Sequence, residues 1–385
     1  MPGSPVSPPA RTWRQLTTHR SSFVNNLFGN MKTLFQGFFL LLLLSTATAQ
    51  AQTFPGEEWT FNETPEQDGW DRDKGRDLFR YLVDSTHITG MVVVHKGQIV
   101  FDYGDIVENS YIASCRKSVL AMLYGRYVEN GQIDLSKSLA DLGIDDVTPL
   151  LPREKEATVQ DLISARSGIF LKASNPGDFL EFAPKRGVEK PGNYWLYNNW
   201  DFNSAGYIFE SQTGKDIHDE VTVQLAEPLR MQDWDHSLQR KSGNLEVSRF
   251  PAYHMWFSTR DMARIGLLML NRGNWDGQQI ISESWIDEML KQRTTYQEVN
   301  NNVPIFHGTG VDFGYGYMWW LWENVKDERL KNAYSAMGAM GQSITVYPEM
   351  DVVVAYKTKS AYRRVNSQQV RLDILKKVAE LYQPE

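Results

Sequence analysis

Two β-rich stretches stand near opposite ends of the chain: MVVVHKGQIVFDYG at 91–104, and QSITVYP at 342–348 followed by MDVVVAYKT at 350–358. Each is a run of β-branched and aromatic residues bounded by turn residues, and the first folds back on itself through Lys96-Gly97 as a hairpin. A further aromatic run, YGYMWWLW at 315–322, reads as another strand. Between the ends, from Ser114 to about Arg293, apolar residues recur at the three-and-four spacing of helices. TVQDLISARSG at 158–168 has a Thr cap and a Gly stop, and STRDMARIGLLMLNRG at 258–273 opens with Ser258 and Asp261 in capping-box spacing. WDFNSAGYIFESQTG, DIHDEVTVQLAEPL and the segments 69–86 and 367–382 also read as helices, and no internal repeat is visible. Strands at both ends around a helical middle predict an α+β fold, one sheet assembled from the two chain ends with a mainly helical subdomain inserted between them.

With 42% hydrophobic and 12% aromatic residues the chain can build a large core. Its net charge of -7 comes without long runs of one sign, which argues against a nucleic-acid backbone or an anionic membrane surface as partner. Met31-Lys32, the apolar stretch 34–44 and STATAQAQ at 45–52 form a secretory signal pattern with cleavage after Ala49 or Ala51. The apolar stretch is too short for a membrane span, which needs about 20 residues. The expected organisation is an upstream extension and signal peptide at 1–51 and one domain at 52–385, exported to a periplasmic or extracellular location, with no membrane span in the mature chain. Cys115 is the only cysteine, so no disulfide forms within the chain and the core must supply stability.

YIASCRKSVLAMLYG at 111–125 places Ser114 and Lys117 three residues apart at the start of an apolar helix. The bland reading of Ser114 is an N-cap whose oxygen accepts a backbone N–H. The chemical reading rests on geometry: positions i and i+3 share a helix face, so the Lys117 amine can lie over the Ser114 hydroxyl. A lysine accepts a serine proton only if its own pKa is depressed, and the flank VLAMLYG offers a desolvating environment.

Here the sequence resembles the serine β-lactamase and penicillin-binding-protein superfamily, most closely the class C β-lactamase, esterase and 6-aminohexanoate-dimer hydrolase branch. Five ordered segments from about Met91 onward carry the likeness. Ser114-Cys115-Arg116-Lys117 looks like the S-x-x-K motif, TVQDLISARSGI is similar to a T-x-x-x-L-L-x-H-x-S-G segment, and Tyr197-Asn198-Asn199 looks like Y-x-N. STRDMARIGLLMLNRGNWDGQQIISESWI and AMGAMGQSITVYPEMDVVV are similar to two further segments. The resemblance implies a β-lactamase-like fold with an antiparallel sheet flanked by helices. It makes Ser114 the acylated nucleophile, Lys117 its proton acceptor, Tyr197 a second acid/base and Asn199 the residue that orients Lys117 and the substrate. A tyrosine beside a lysine ammonium is expected to have a lowered pKa.

Where the family usually has K-T-G or H-x-G, this chain has Ala336-Met337-Gly338, with no basic side chain. Gly338 still permits close approach of substrate, and the N–H groups of Ala339 and Ser114 would form the oxyanion hole. Lys357-Thr358-Lys359 imitates K-T-G but lies on the following strand and lacks the glycine. The expected activity is acyl-enzyme hydrolysis of a small ester or amide without metal or organic cofactor. Two alternatives stay open: a non-catalytic penicillin-binding-like ligand sensor or scaffold, and a true β-lactamase or D-peptidase. A Ser-His-Asp hydrolase using His254 is disfavoured by the absence of G-x-S-x-G, and Cys115 in its apolar helix reads as a small hydrophobe. The seven histidines lack metal-binding spacing, and some rings of GYGYMWWLWEN are expected to face the cleft.

Overall fold

The computed structural model describes residues 53–304 and 310–384; the signal-like segment and the extension before it lie outside these residues. Residues Thr53–Glu385 form one compact unit. Its centre is a seven-stranded sheet of β1 (Gly90–His95), β2 (Gln98–Gly104), β3 (Asp312–Tyr315), β4 (Trp320–Glu323), β5 (Tyr334–Gly338), β6 (Gln342–Tyr347) and β7 (Val352–Lys357). The order is β2-β1-β7-β6-β5-β4-β3 and every neighbouring pair is antiparallel. The two chain ends meet where β1 pairs with β7, Val93 opposite Val354.

The helices that frame the site are α1 (Arg72–Ser85), α2 (Cys115–Glu129), α3 (Val159–Ile163), α4 (Asn199–Thr213), α5 (Thr259–Leu270) and α6 (Gln368–Leu381). Strands β1, β6 and β7 are buried at every position because helices cover both faces, which explains the apolar runs of β1 and β7. Gly266 brings α5 onto one face, where an added Cβ would lie 2.3 Å from Val353 Cγ1 and 3.0 Å from Ile344 Cγ2. Tyr347 and Tyr356, of opposite parity along their strands, donate to the Leu375 and Arg371 carbonyls of α6 on the other face. Helix α2 is buried nearly all round, as a helix at the centre of a domain must be.

Four local readings need correction. The run at 315–322 is not one strand but the end of β3, a turn with Met318 at φ 58°, and the start of β4. Helix α3 stops at Ile163, before Gly168, because Ala165 at φ 59° turns the chain so that its carbonyl receives the Leu196 N–H at 2.9 Å. The stretch 216–229 gives only the short helix Ile217–Val221 followed by a wider π-type turn, Thr222–Ala226. At the start of α5 the capping box is half made. Ser258 Oγ accepts from Asp261 N–H at 3.0 Å, while the Asp261 carboxylate turns to the N–H groups of Gln232 and Asp233.

Candidate active site

Ser114 occupies the N-cap position of α2, yet its side chain accepts no capping hydrogen bond, so the bland reading does not describe it. The chain enters this position through Ala113 at φ 50°, a left-handed conformation that costs a non-glycine residue about 1–2 kcal/mol. The hydroxyl is left at a cavity of about 350 Å³ whose walls include Phe179, Tyr197, Trp320, Met337 and Ala339.

One turn into α2, Lys117 Nζ lies 2.9 Å from Ser114 Oγ and 2.6 Å from Tyr197 OH. The amine also sits 4.3 Å from the centre of the Tyr197 ring and 4.7 Å from that of Phe202. Burial pushes the Lys117 pKa well below the usual lysine range; the adjacent Arg116 charge adds to this, and Asp178 opposes it. The free amine is therefore strongly favoured relative to an exposed lysine.

Tyr197 is shifted the other way from the sequence-based expectation. Burial raises its pKa above the ordinary phenol range, although a hydrogen bond with Ser114 and the Arg116 charge both favour the phenolate. The ring is enclosed by Phe202, Trp320 and Phe179, with centroids 4.9, 5.5 and 5.6 Å away. The same burial disfavours the Lys117 ammonium, the charge that would offset that enclosure. Trp320 stacks on Tyr197 at 24°, so one ring of the aromatic run does reach the cleft.

Asn198 caps α4, accepting from Trp200 N–H at 3.1 Å. Asn199 is buried beside it, and its Nδ2 donates to Pro176 O at 3.0 Å rather than reaching Lys117. It thereby holds the loop that carries Gly177 and Asp178 to the cavity wall. The sequence offered no way to foresee this loop contact.

On β5, Ala336 is fully buried and does not line the cavity; strand alternation turns its side chain into the sheet packing, and its carbonyl receives Cys115 Sγ at 3.5 Å. Met337, Gly338 and Ala339 line it instead. Gly338 has no room for a side chain, since a Cβ would lie 2.5 Å from Gln342 Oε1 and 2.9 Å from Ile112 O. Among the described residues, neither the Ser114 nor the Ala339 N–H donates to a protein acceptor.

Several wall residues carried no sequence signal. Asp178 faces the cavity with its carboxyl pKa raised by burial, and Arg371 enters it from the first turn of α6. Two other buried cations are engaged elsewhere: Arg116 lies over the Tyr253 ring at 4.4 Å, and Lys357 donates to the carbonyls of Glu108 and Phe257. His254 pairs through Nδ1 with Tyr111 OH at 3.0 Å, and burial lowers its pKa to about 4. Burial pushes the Cys115 thiol up to about 12, which removes its nucleophilic form. Among the described residues one trio of potential metal ligands, Asp216, Asp219 and His236, lies together. It is away from the cavity, and Asp216 is already paired with Lys241 at 2.7 Å.

A serine, a buried lysine and a tyrosine sharing hydrogen bonds beside an antiparallel sheet, with helices on both its faces, define a class of hydrolase folds. The chain belongs to the beta-lactamase family, whose family model matches residues 76–376. Among solved structures, it is similar to a protein designated a 6-aminohexanoate-dimer hydrolase from Bacillus anthracis, with TM-score 0.61 and 18% identity over 86% of this chain and 89% of that one. A penicillin-binding protein homologue from Caulobacter crescentus matches with TM-score 0.57 and 13% identity, covering 84% of this chain and 99% of its own. A family VIII carboxylesterase matches with TM-score 0.57 and 15% identity over the same shares, 84% and 99%. At these identities the likeness is one of fold.

Proposed function

We propose that this protein is a serine hydrolase that cleaves a small, uncharged ester or amide through an acyl-enzyme on Ser114. The observation that carries the reading is the Lys117 amine, its pKa lowered by burial, held 2.9 Å from Ser114 Oγ and 2.6 Å from Tyr197 OH. In this reading Lys117 takes the Ser114 proton as Oγ attacks the substrate carbonyl. The developing oxyanion is met by the N–H groups of Ser114 and Ala339. Tyr197, a neutral phenol, gives its proton to the departing oxygen or nitrogen and recovers one from Lys117. Water then enters, gives up a proton along the same path, and releases the acid.

The fold similarity to a carboxylesterase and a 6-aminohexanoate-dimer hydrolase supports ester or amide substrates. Asp178 on the cavity wall, with the Arg371 guanidinium committed to main-chain carbonyls, weighs against the carboxylate-bearing substrates of β-lactamases and D-peptidases. Export as a mature chain beginning near Gln50 or Gln52 belongs to the same proposal, and N-terminal sequencing of the native protein tests it. The activity is tested with a panel of p-nitrophenyl esters, nitrocefin and D-amino-acid anilides on wild type and Ser114→Ala. The folded variant is expected to lose turnover, and undiminished turnover would overturn the proposal. A scaffold or sensor without a working nucleophile would process none of the panel.

A further inference from the structure

We infer that Arg371 is a positioning residue that aims one of the two oxyanion donors; the inference rests on the serine-hydrolase reading above. Arg371 stands in the first turn of α6, and its guanidinium is spent on main-chain carbonyls. Nε donates to Asn366 O at 3.0 Å, one terminal nitrogen to Gly338 O at 3.1 Å, and the other to Ala339 O. Two of these acceptors belong to the turn that joins β5 to β6, the segment that presents the Ala339 N–H.

Peptide planarity turns this clamp into aim. Gly338 C=O and Ala339 N–H are the two ends of a single trans peptide, so they point in opposite directions and cannot rotate independently. Fixing the Gly338 oxygen therefore fixes the direction of the Ala339 N–H. That oxygen is held twice, by Arg371 and by Gly341 N–H at 3.2 Å, and Gly341 is at φ 100°, a conformation suited to glycine. A charged donor on the carbonyl also polarises the peptide and strengthens its N–H as a donor.

The clamp is itself anchored. Asn366 Nδ2 donates to Thr358 Oγ1 at 3.0 Å, and Asn366 Oδ1 receives His87 N–H at 2.8 Å. The direction of the oxyanion donor is thus tied through Arg371 to the base of the closing helix and to the end of β7.

The rival role for a cavity-facing arginine is to bind a substrate carboxylate with the donors that remain, and the test separates the two. Wild type, Arg371→Lys and Arg371→Met are compared on an uncharged p-nitrophenyl ester, on its carboxylate-bearing analogue, and in inhibition by an aryl trifluoromethyl ketone, whose adduct carries the oxyanion. Circular dichroism checks that each variant is folded. Misaiming one oxyanion donor is expected to lower kcat on the neutral ester about 10- to 100-fold in Arg371→Met, with KM within about twofold. The ketone Ki should rise in proportion to the loss in kcat/KM. Arg371→Lys, able to hold one carbonyl, should fall between. Unchanged kcat on the neutral ester overturns the inference, as does a loss confined to KM of the anionic analogue. Should the Arg371→Met variant misfold, Arg371→Lys carries the same comparison. If Ser114→Ala keeps wild-type turnover, the serine-hydrolase reading has failed; if Ser114→Ala is dead and Arg371→Met is normal, only this inference has.

Discussion

Lys117 and Lys357 are both buried, and burial pushes both ammonium pKa values down, Lys117 well below the usual range and Lys357 to about 8. Their partners differ in kind. Lys117 meets two hydroxyls, Ser114 and Tyr197, each able to donate to an amine lone pair as well as to accept from it. Lys357 meets the carbonyls of Glu108 and Phe257, which only accept, and the Glu108 and Asp105 carboxylates favour its charge. A neutral amine is satisfied at the first position and leaves a lone pair facing carbonyl oxygens at the second. Burial depresses a lysine, but its neighbours decide whether it can serve as a base.

The sharpest way to break this contrast is to remove each amine in turn. Lys117→Met should lower kcat/KM on a p-nitrophenyl ester by about 10³-fold or more, the upper range for a lost general base, with little change in the urea midpoint. Lys357→Met should do the reverse. Glu108 O and Phe257 O would lose their donor, at about 1–3 kcal/mol for each orphaned carbonyl, while kcat of the folded fraction stays near wild type. A dead but stable Lys357→Met would reverse the assignment of roles.

Smaller effects sharpen it. Tyr197→Phe keeps the ring stacked on Trp320 but removes the hydroxyl, and should cost about 10²-fold in kcat. A carboxylate-bearing ester should be turned over about tenfold less efficiently than its neutral analogue, because Asp178 faces the cavity and Arg371 is committed to main-chain carbonyls. A preference for the anionic analogue would instead give Arg371's remaining donors a substrate role.

The smallest effects are shifts in the pH profile. Lys117 must be unprotonated to accept the Ser114 proton, so activity is lost as pH falls through its pKa. Arg116 depresses that pKa and Asp178 raises it. Arg116→Met should therefore move the acidic limb of kcat/KM to higher pH, and Asp178→Asn should move it to lower pH. Opposite directions, or limbs that coincide with wild type, would detach the limb from Lys117.

The legible parts of the molecule are those fixed by short-range geometry. Ser114 and Lys117 could be paired on paper because helical spacing sets them on one face, and the two-ended sheet could be read because β1 and β7 are too apolar to stand unpaired. The rest depends on packing between distant segments. Tyr197 is enclosed by Phe179, Phe202 and Trp320, so its raised pKa is a property of the assembled pocket. Asn199 serves a loop carbonyl that nothing in its own segment announces. Arg371 sits at an ordinary helical position, and only the fold brings it to the turn after β5.

Acylation of Ser114 is detected by rapid-quench mass spectrometry of the protein mixed with a slowly hydrolysed p-nitrophenyl ester, followed by peptide mapping. A transient mass increase equal to the acyl group is expected, mapped to Ser114 in the wild type, undetectable in Ser114→Ala, and forming far more slowly in Lys117→Met. Turnover with no acylated intermediate, or an acyl group mapped to another residue, would contradict the assignment of Ser114.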